Sequence, residues 1–563
     1  MKTPIIKSVC IGLIMMMSNA CSDSFLDEQV LDKYAPESLN DKLGFDAAVI
    51  GLHQHFATHL KSTNDQGLIA IWHAGTDITW VVEGRHTGDL SPYYNYTQLN
   101  AADNASRKVW SYLYKLISNA NTLIKGAENA NVAGLTDADK EVYAAEARFF
   151  RAYAYNLLVT LYGDVPLLTE ALDAPKTDFV RTPVGEINSL IEMDLLFAAD
   201  KLPMIGETAL AGRANNAMAR QLLAEVYLRI GENAKAEAQC TEIINGNAGS
   251  LSLIMARYGV KANQPGDAFS DMFVFGNQRR SQGNMEAIWV LETENPTDKP
   301  YNTDSPQQRR VWGSGYYDVP GMQPADSLGG RGIARLRLND WVNYGLYEAN
   351  DMRNSNYNIR RKFYFNSTNP KFDNIRGEAV PYGETKSFVV SDGSSITVNA
   401  QDTIWRLAPS TTKWGHFDAR DEFGYGMWKD FIVMRLGETY LLRAEARFNQ
   451  DNIAGAAADL NVIRERANAS PVSEADVDLD FILDERVREL IAEENRRTTL
   501  MRTGKLVERA IEHSGQGVLP GGINTVIGIE EWYGKTGQTG YLPIPQTEID
   551  LNKDADLQQN PGY

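Results

Sequence analysis

Cysteine is nearly absent, with three among 563 residues. Cys10 and Cys21 fall at the extreme N-terminus, which leaves Cys240 alone in the remainder. That excludes a disulfide framework within one chain, despite the export signal described below. Cys240 lies on an apolar helix face and reads as a small core residue. An excess of positive charge is missing too. Against 73 Asp and Glu stand 55 Lys and Arg, a formal net charge of -18. This argues against nucleic acid or an anionic membrane surface as the main partner. Beyond the leader there is no run of about 20 apolar residues, hence no candidate spanning helix. Signature motifs of chemistry are absent as well: no nucleophile elbow, phosphate loop, zinc-protease motif or Cys-His pair. Carboxylates are plentiful, so a glycosidase pair is not excluded by counting, but none is picked out by its context.

What remains is a globular composition, 43% apolar and 23% charged. Length alone suggests two to four domains, although a continuous solenoid with insertions counts as one. The ordering stretch runs from Phe431 to Ala467. Val433, Leu436, Tyr440, Ala444 and Phe448 follow one face of a helix, and Ala456, Leu460, Ile463 and Ala467 form a second stripe after a polar turn. Small residues along both stripes fit a tetratricopeptide-like hairpin. Ala444-Glu445-Ala446-Arg447-Phe448 repeats letter for letter at Ala145-Glu146-Ala147-Arg148-Phe149, and Ala224-Glu225, Ala236, Cys240 and Ile243 form a looser third copy. The repeats predict a mostly α fold: a helical-hairpin scaffold with a large irregular, loop-rich insertion containing short strands.

The N-terminus carries a leader. Lys2 and Lys7 precede an apolar stretch, Val9 to Met17, that is too short to span a bilayer. Ser18, Asn19 and Ala20 then precede Cys21, an arrangement that looks like a lipoprotein signal with Cys21 acylated. Two or more acyl chains, at about 0.8 kcal/mol per buried CH₂, would anchor the chain stably.

Helical patterning loosens in two places. From Ile71 to Asn100, Trp72, Trp80, Tyr93, Tyr94 and Tyr96 sit among Gly75, Gly84, Gly88 and Pro92. Between about 247 and 429 the rhythm fails again, and glycines flank Trp312, Tyr316 and Tyr317. A ring face packs well on the C–H face of a sugar, so these eight aromatics are the candidate ligand contacts; the alternative is a loop folded back with its rings buried. His53, His55 and His59 fall on a predicted helix, Asp46 to Leu60. With no third ligand nearby they read as a solvated face rather than a metal site. The window Gly276–Phe365 has a slight excess of Lys and Arg, which permits an anionic ligand.

Met434-Arg435-Leu436-Gly437-Glu438-Thr439-Tyr440-Leu441-Leu442-Arg443-Ala444-Glu445-Ala446, followed by Leu460-Asn461-Val462-Ile463-Arg464-Glu465-Arg466-Ala467, resembles the signature of the RagB/SusD family of surface nutrient-binding lipoproteins. Tyr162-Gly163-Asp164-Val165-Pro166-Leu167, Asp484-Glu485-Arg486-Val487-Arg488-Glu489-Leu490, Leu542-Pro543-Ile544-Pro545 and the terminal Asn560-Pro561-Gly562-Tyr563 also match it, whereas Arg497, Thr498 and Thr499 replace its usual Trp, Phe and Asp. The resemblance implies a signal peptide over 1–20 and one SusD-like domain over 21–563. Its scaffold would cover about 40–246 and 430–510, with ligand-binding insertions over about 70–100 and 250–429. It implies binding without catalysis and without a cofactor, although some relatives bind Ca²⁺. It also implies an outer-membrane, lipid-anchored location facing outward, an oligosaccharide or polysaccharide ligand, and a SusC-like TonB-dependent transporter as partner. Relatives of the RagB type handle peptides, which is the second implied reading. A helical-scaffold glycoside hydrolase and a purely structural assembly protein are the others.

Overall fold

The computed structural model describes residues 39–60, 67–80, 88–129, 131–172, 174–294, 308–424, 426–513 and 526–563. The leader and Cys21 lie outside them. The fold is the expected one: mostly helical, with a few short strands gathered into two-stranded pairs. The helices used below are α1 (Lys42–Ala57), α2 (Gly67–His73), α3 (Asn104–Ala127), α4 (Asp137–Tyr162), α5 (Val184–Lys201), α6 (Asn216–Ile230), α7 (Asn233–Ile244), α8 (Ala400–Arg406), α9 (Leu436–Phe448), α10 (Ile453–Arg466), α11 (Leu479–Leu490), α12 (Arg496–Arg502) and α13 (Leu506–His513). Among the described residues no helix is long and apolar enough to cross a membrane.

The repeated pentapeptide explains the scaffold. It lies on α4 and α9, each followed by a partner helix, α5 and α10. Its alanines, Ala145, Ala147, Ala444 and Ala446, are fully buried, so neighbouring helices approach closely. Its arginine crosses the hairpin in both copies. Arg148 reaches Asp194 on α5 at 3.2 Å, and Arg447 reaches Asp459 on α10 at 2.9 Å. Its glutamate takes an arginine from elsewhere, Arg213 for Glu146 and Arg502 for Glu445. The third copy is the α6/α7 hairpin, which packs between them. Local signals set the helix ends. Thr136 and Asp139 form a reciprocal capping box at the start of α4. Gly163, at φ 73°, ends it where a Cβ would run into the Tyr541 ring at 2.5 Å.

Cys240 is buried on α7, and burial pushes its thiol well up. Protein starting after Cys21 contains this one thiol. It is expected to stay unreactive toward thiol reagents until unfolding and then to titrate as one per chain. Reaction in the native state at the denatured rate would contradict the packing.

The family-like strings at 434–466 and 484–490 supply a buried ion cluster. Strand β2 (Ala287–Leu291) pairs antiparallel with β8 (Phe431–Arg435), bringing Glu286 to Arg435 at 2.8 Å. Arg466 joins Glu286 at 3.0 Å, Arg435 and Arg466 both engage Glu489, and Arg353 reaches Glu485 at 2.8 Å and Glu489 at 3.0 Å. These side chains are essentially fully buried, so every charge needs its partner. The cluster ties residues from the irregular region, Glu286 and Arg353, to α10 and α11. A second hydrophobic cluster, centred on Tyr316, Phe363, Phe365, Val380 and Phe388, lies wholly between 316 and 407. It packs beside the hairpin of β5 (Lys386–Val389) and β6 (Ser395–Val398).

Candidate functional site

The structure separates the predicted rings into three groups. Tyr93, Tyr94 and Tyr96 are buried in the main core. The Tyr93 hydroxyl donates to Asp103 Oδ1 at 2.9 Å, and the Tyr96 hydroxyl accepts from Arg497 at 2.9 Å. Arg497 is itself fully buried, 5.0 Å from the Tyr93 ring centroid, and donates to the carbonyls of Ile71 (2.7 Å) and Ala74 (2.6 Å). Gly75, at φ 62°, allows the loop to close, since a Cβ there would sit 1.7 Å from the Tyr93 carbonyl oxygen. These three tyrosines are therefore corrected from candidate ligand contacts to core. Their rings meet protein on all sides and their hydroxyls have internal partners.

Trp72 and Trp312 are also buried, as is Tyr316, which stacks on Phe363 at 5.8 Å and donates to the Gly330 carbonyl at 3.0 Å. Trp72 and Trp312 line a partly open cavity of about 120 Å³ together with Phe56, His73, Glu438 and Glu494. Pockets that take small organic ligands measure about 300–1,000 Å³. This one is too small for an oligosaccharide, so Trp72 and Trp312 are likewise corrected, and Tyr316 is corrected by its burial against Phe363.

Tyr317 is half-buried at the surface, edge-on to Phe423 at 5.8 Å. The backbone of Trp80 lies in strand β1 (Thr79–Trp80), antiparallel to β3 (Arg337–Leu338) with Trp80 opposite Arg337. The Trp80 side chain lies outside the described residues.

The histidines do not form a solvated face. His53 lies 3.2 Å from Glu146 Oε2, and His55 Nε2 lies 2.9 Å from the Tyr112 carbonyl oxygen. Burial holds His55 below its ordinary value and His59 at about 4, so both stay neutral.

Exposed rings are found elsewhere. Among the described residues, every aromatic ring more than a third exposed lies between 275 and 423: Phe275, Tyr344, Tyr357, Tyr364, Tyr382 and Phe423. Two of them lie near β3. Tyr344, 55% exposed, stands on the turn Trp341–Gly345 that follows β3. Arg361 holds its guanidinium 6.0 Å from the Tyr344 ring and is fixed by the carbonyls of Asn343 (2.6 Å) and Asn354 (2.9 Å) and by Asn354 Oδ1 (2.8 Å). Tyr382, 37% exposed, lies within electrostatic reach of Tyr344, Asp340 and Arg337. Partial burial, Tyr344 and Asp340 together raise the Tyr382 phenol, so it stays protonated and can donate. Each ring has a glycine beside it, Gly345 and Gly383, where an added Cβ would meet nothing within 4 Å. Arg337 also donates to the Trp405 carbonyl at 2.6 Å, which ties the patch to α8.

This arrangement can receive a flat, hydroxylated ligand. Both rings are partly exposed, and the Asp340 carboxylate and the Arg361 guanidinium stand near Tyr344. Sequence reasoning missed Tyr344 and Tyr382. The available signal was Tyr-Gly in the irregular region, the same glycine flanking that pointed to Trp312 and Tyr316.

Known proteins resemble most of the chain. The family model described as "SusD family" matches residues 285–563, and the one described as "Starch-binding associating with outer membrane" matches 53–228. The SusD-like protein P25 of Formosa agariphila is 25% identical over 529 residues, 89% of this chain and 91% of its own. The starch-binding protein SusD of Bacteroides thetaiotaomicron is 25% identical over 500 residues, 83% of this chain and 80% of its own. Among solved structures, surface glycan-binding protein A of B. thetaiotaomicron in complex with laminarihexaose superposes with a TM-score of 0.67 at 19% identity, covering 93% of this chain and 100% of that one. A laminarin-binding SusD-like protein gives 0.66 at 21% identity, over 93% of this chain and 100% of that one.

Proposed function

Because the chain belongs to the SusD family, we propose that it is a cell-surface glycan-binding lipoprotein that captures oligosaccharides and delivers them to a SusC-like TonB-dependent transporter in the outer membrane. Cys21 would carry the lipid anchor. The observation that supports this reading best is that, among the described residues, the exposed rings lie between 275 and 423, with Tyr344 beside the fixed guanidinium of Arg361. Relatives named for starch binding, and a structural neighbour holding laminarihexaose, favour sugar as the ligand. The role is binding and release without turnover of the glycan.

Protein starting after Cys21, run through native gels containing laminarin, starch, xylan, pectin or alginate, is expected to be retarded by one glycan class without releasing reducing ends. Micromolar to millimolar affinity is expected from two or three stacked rings. Retardation by none, together with binding to peptide mixtures, would replace this reading with peptide capture. Release of reducing ends would replace it with hydrolysis.

A further inference from the structure

Apart from any glycan surface, we infer that the cavity beside Trp72 and Trp312 is a binding site for a small primary ammonium ion. It lies where α4 and α6 meet β8 and the segment leading into α12, with a volume of about 120 Å³. A dry cavity of about 150 Å³ takes up benzene, so this one has room for about four or five non-hydrogen atoms.

Charge is the first reason. Glu225, Glu438, Glu493 and Glu494 line the cavity, and its described lining holds no Lys or Arg. The two lining imidazoles, His59 and His73, are kept neutral by burial, at about 4 and 3. One guanidinium, Arg486, serves both Glu438 (3.0 Å) and Glu494 (2.7 Å). Burial first, with Glu225 and Glu494 adding to it, raises the Glu438 carboxyl to about 7 against the pull of Arg486, so negative charge here is short of counterions. The second reason is an idle acceptor. Gln308 is 3% exposed and lines the cavity, and among the described residues its Oε1 has no hydrogen-bond partner; nor has Nδ1 of His73, 7% exposed. A buried amide oxygen without a donor is costly, and an N–H from a bound ion would satisfy it. The third is the aromatic lining, Phe56, Trp72 and Trp312, since such rings attract cations. Among the described residues no group of three or more His, Cys, Asp or Glu is placed to hold a metal ion, so the donor set suits an ammonium instead. Water would satisfy Gln308 but would leave the charge unbalanced.

The test uses protein starting after Cys21 at about pH 8, above the Glu438 value. Methylammonium chloride, compared with sodium chloride at equal ionic strength, is expected to raise the thermal unfolding midpoint saturably. So few atoms should give a dissociation constant in the millimolar range. Tetramethylammonium, which has no N–H, and neutral tert-butanol are each expected to bind at least about 10-fold more weakly. Gln308→Met keeps the bulk and removes an oxygen that has no partner to lose. It is expected to keep the parent midpoint in sodium chloride and to weaken methylammonium binding by about 10-fold or more. Glu225→Gln, at a half-buried position, removes charge alone and is expected to weaken binding several-fold, which carries the test should Gln308→Met fail to fold. No saturable effect beyond sodium chloride, an undiminished effect in these variants, or equal binding of tert-butanol or tetramethylammonium overturns the site. The native gels report on glycan capture separately, and neither result decides the other.

Discussion

Asp77→Ala is expected to destabilise the folded protein by about 3–5 kcal/mol, read as a drop in the midpoint of urea unfolding. Asp77 is completely buried and accepts from two arginines far along the chain: Arg496 at 2.8 and 2.5 Å, and Arg509 at 2.8 Å. Removing the carboxylate leaves Arg496, also completely buried, with only Glu494 at 3.0 Å and the Leu483 carbonyl at 3.2 Å. The variant loses the pairing to both arginines at once, and with it the tie from residue 77 to α12 and α13. The main-chain carbonyl of residue 77, which the substitution leaves in place, keeps its bonds from Asn339 at 2.7 Å and from the Trp341 indole. The pH dependence has a definite sign. Burial alone would raise the Asp77 carboxyl, but Arg496 and Arg509 more than reverse this and hold it at about 2, below its ordinary 3.8. Its contribution, on the order of 2 kcal/mol, is fully present above about pH 4 and is lost as pH falls through about 2. Asp77→Asn should show less acid sensitivity between those values than the parent protein. An unchanged urea midpoint for Asp77→Ala would refute the account.

The scaffold was legible in the sequence, where the repeated Ala-Glu-Ala-Arg-Phe was visible as a helical hairpin. Periodicity predicts such elements because a helix face must be buried, and burial follows spacing. The fate of the 71–100 aromatics was not legible, because it depends on Arg497, some 400 residues later. That residue replaces the family's usual Trp and fills the space beneath Tyr93 and Tyr96 with a guanidinium bonded to both ends of the loop. No local pattern encodes such a partner. The histidines failed for the same reason. His53 and His55 lie on α1 and His59 on the turn Thr58–Leu60 that follows it, but which face of α1 turns inward is decided by α3 and α4, through Tyr112 and Glu146. In the irregular region, glycine flanks buried rings, Trp312 and Tyr316, as well as exposed ones, Tyr344 and Tyr382. Which of them face solvent is settled by the small cluster around Phe363 and Phe388, which takes in Tyr316 and leaves Tyr317 at its edge.

Tyr344→Ala and Tyr382→Ala are each expected to weaken glycan binding by about 1–3 kcal/mol, or roughly 5- to 150-fold, by analogy with base stacking on aromatic side chains. Together they are expected to bring a micromolar affinity to the millimolar range or beyond. Both rings lie at the surface, Tyr344 55% and Tyr382 37% exposed, so truncation should cost no more than about 1 kcal/mol of stability. The comparison with Tyr93→Ala and Tyr96→Ala makes the experiment decisive. Those rings are fully buried and tied to Asp103 and Arg497. Their removal should cost about 3–5 kcal/mol of stability through cavity formation and stranded polar groups. Any folded remainder should bind glycan at nearly the parent affinity. Tyr344→Phe and Tyr382→Phe divide the effect further. They keep the ring face and remove a donor near Asp340 and Arg361, so a partial loss would assign the balance to the hydroxyls. If instead the alanine variants at 344 and 382 bind as the parent does, sugar contact must lie on other exposed rings of 275–423, with Tyr357 and Tyr364 the next to replace.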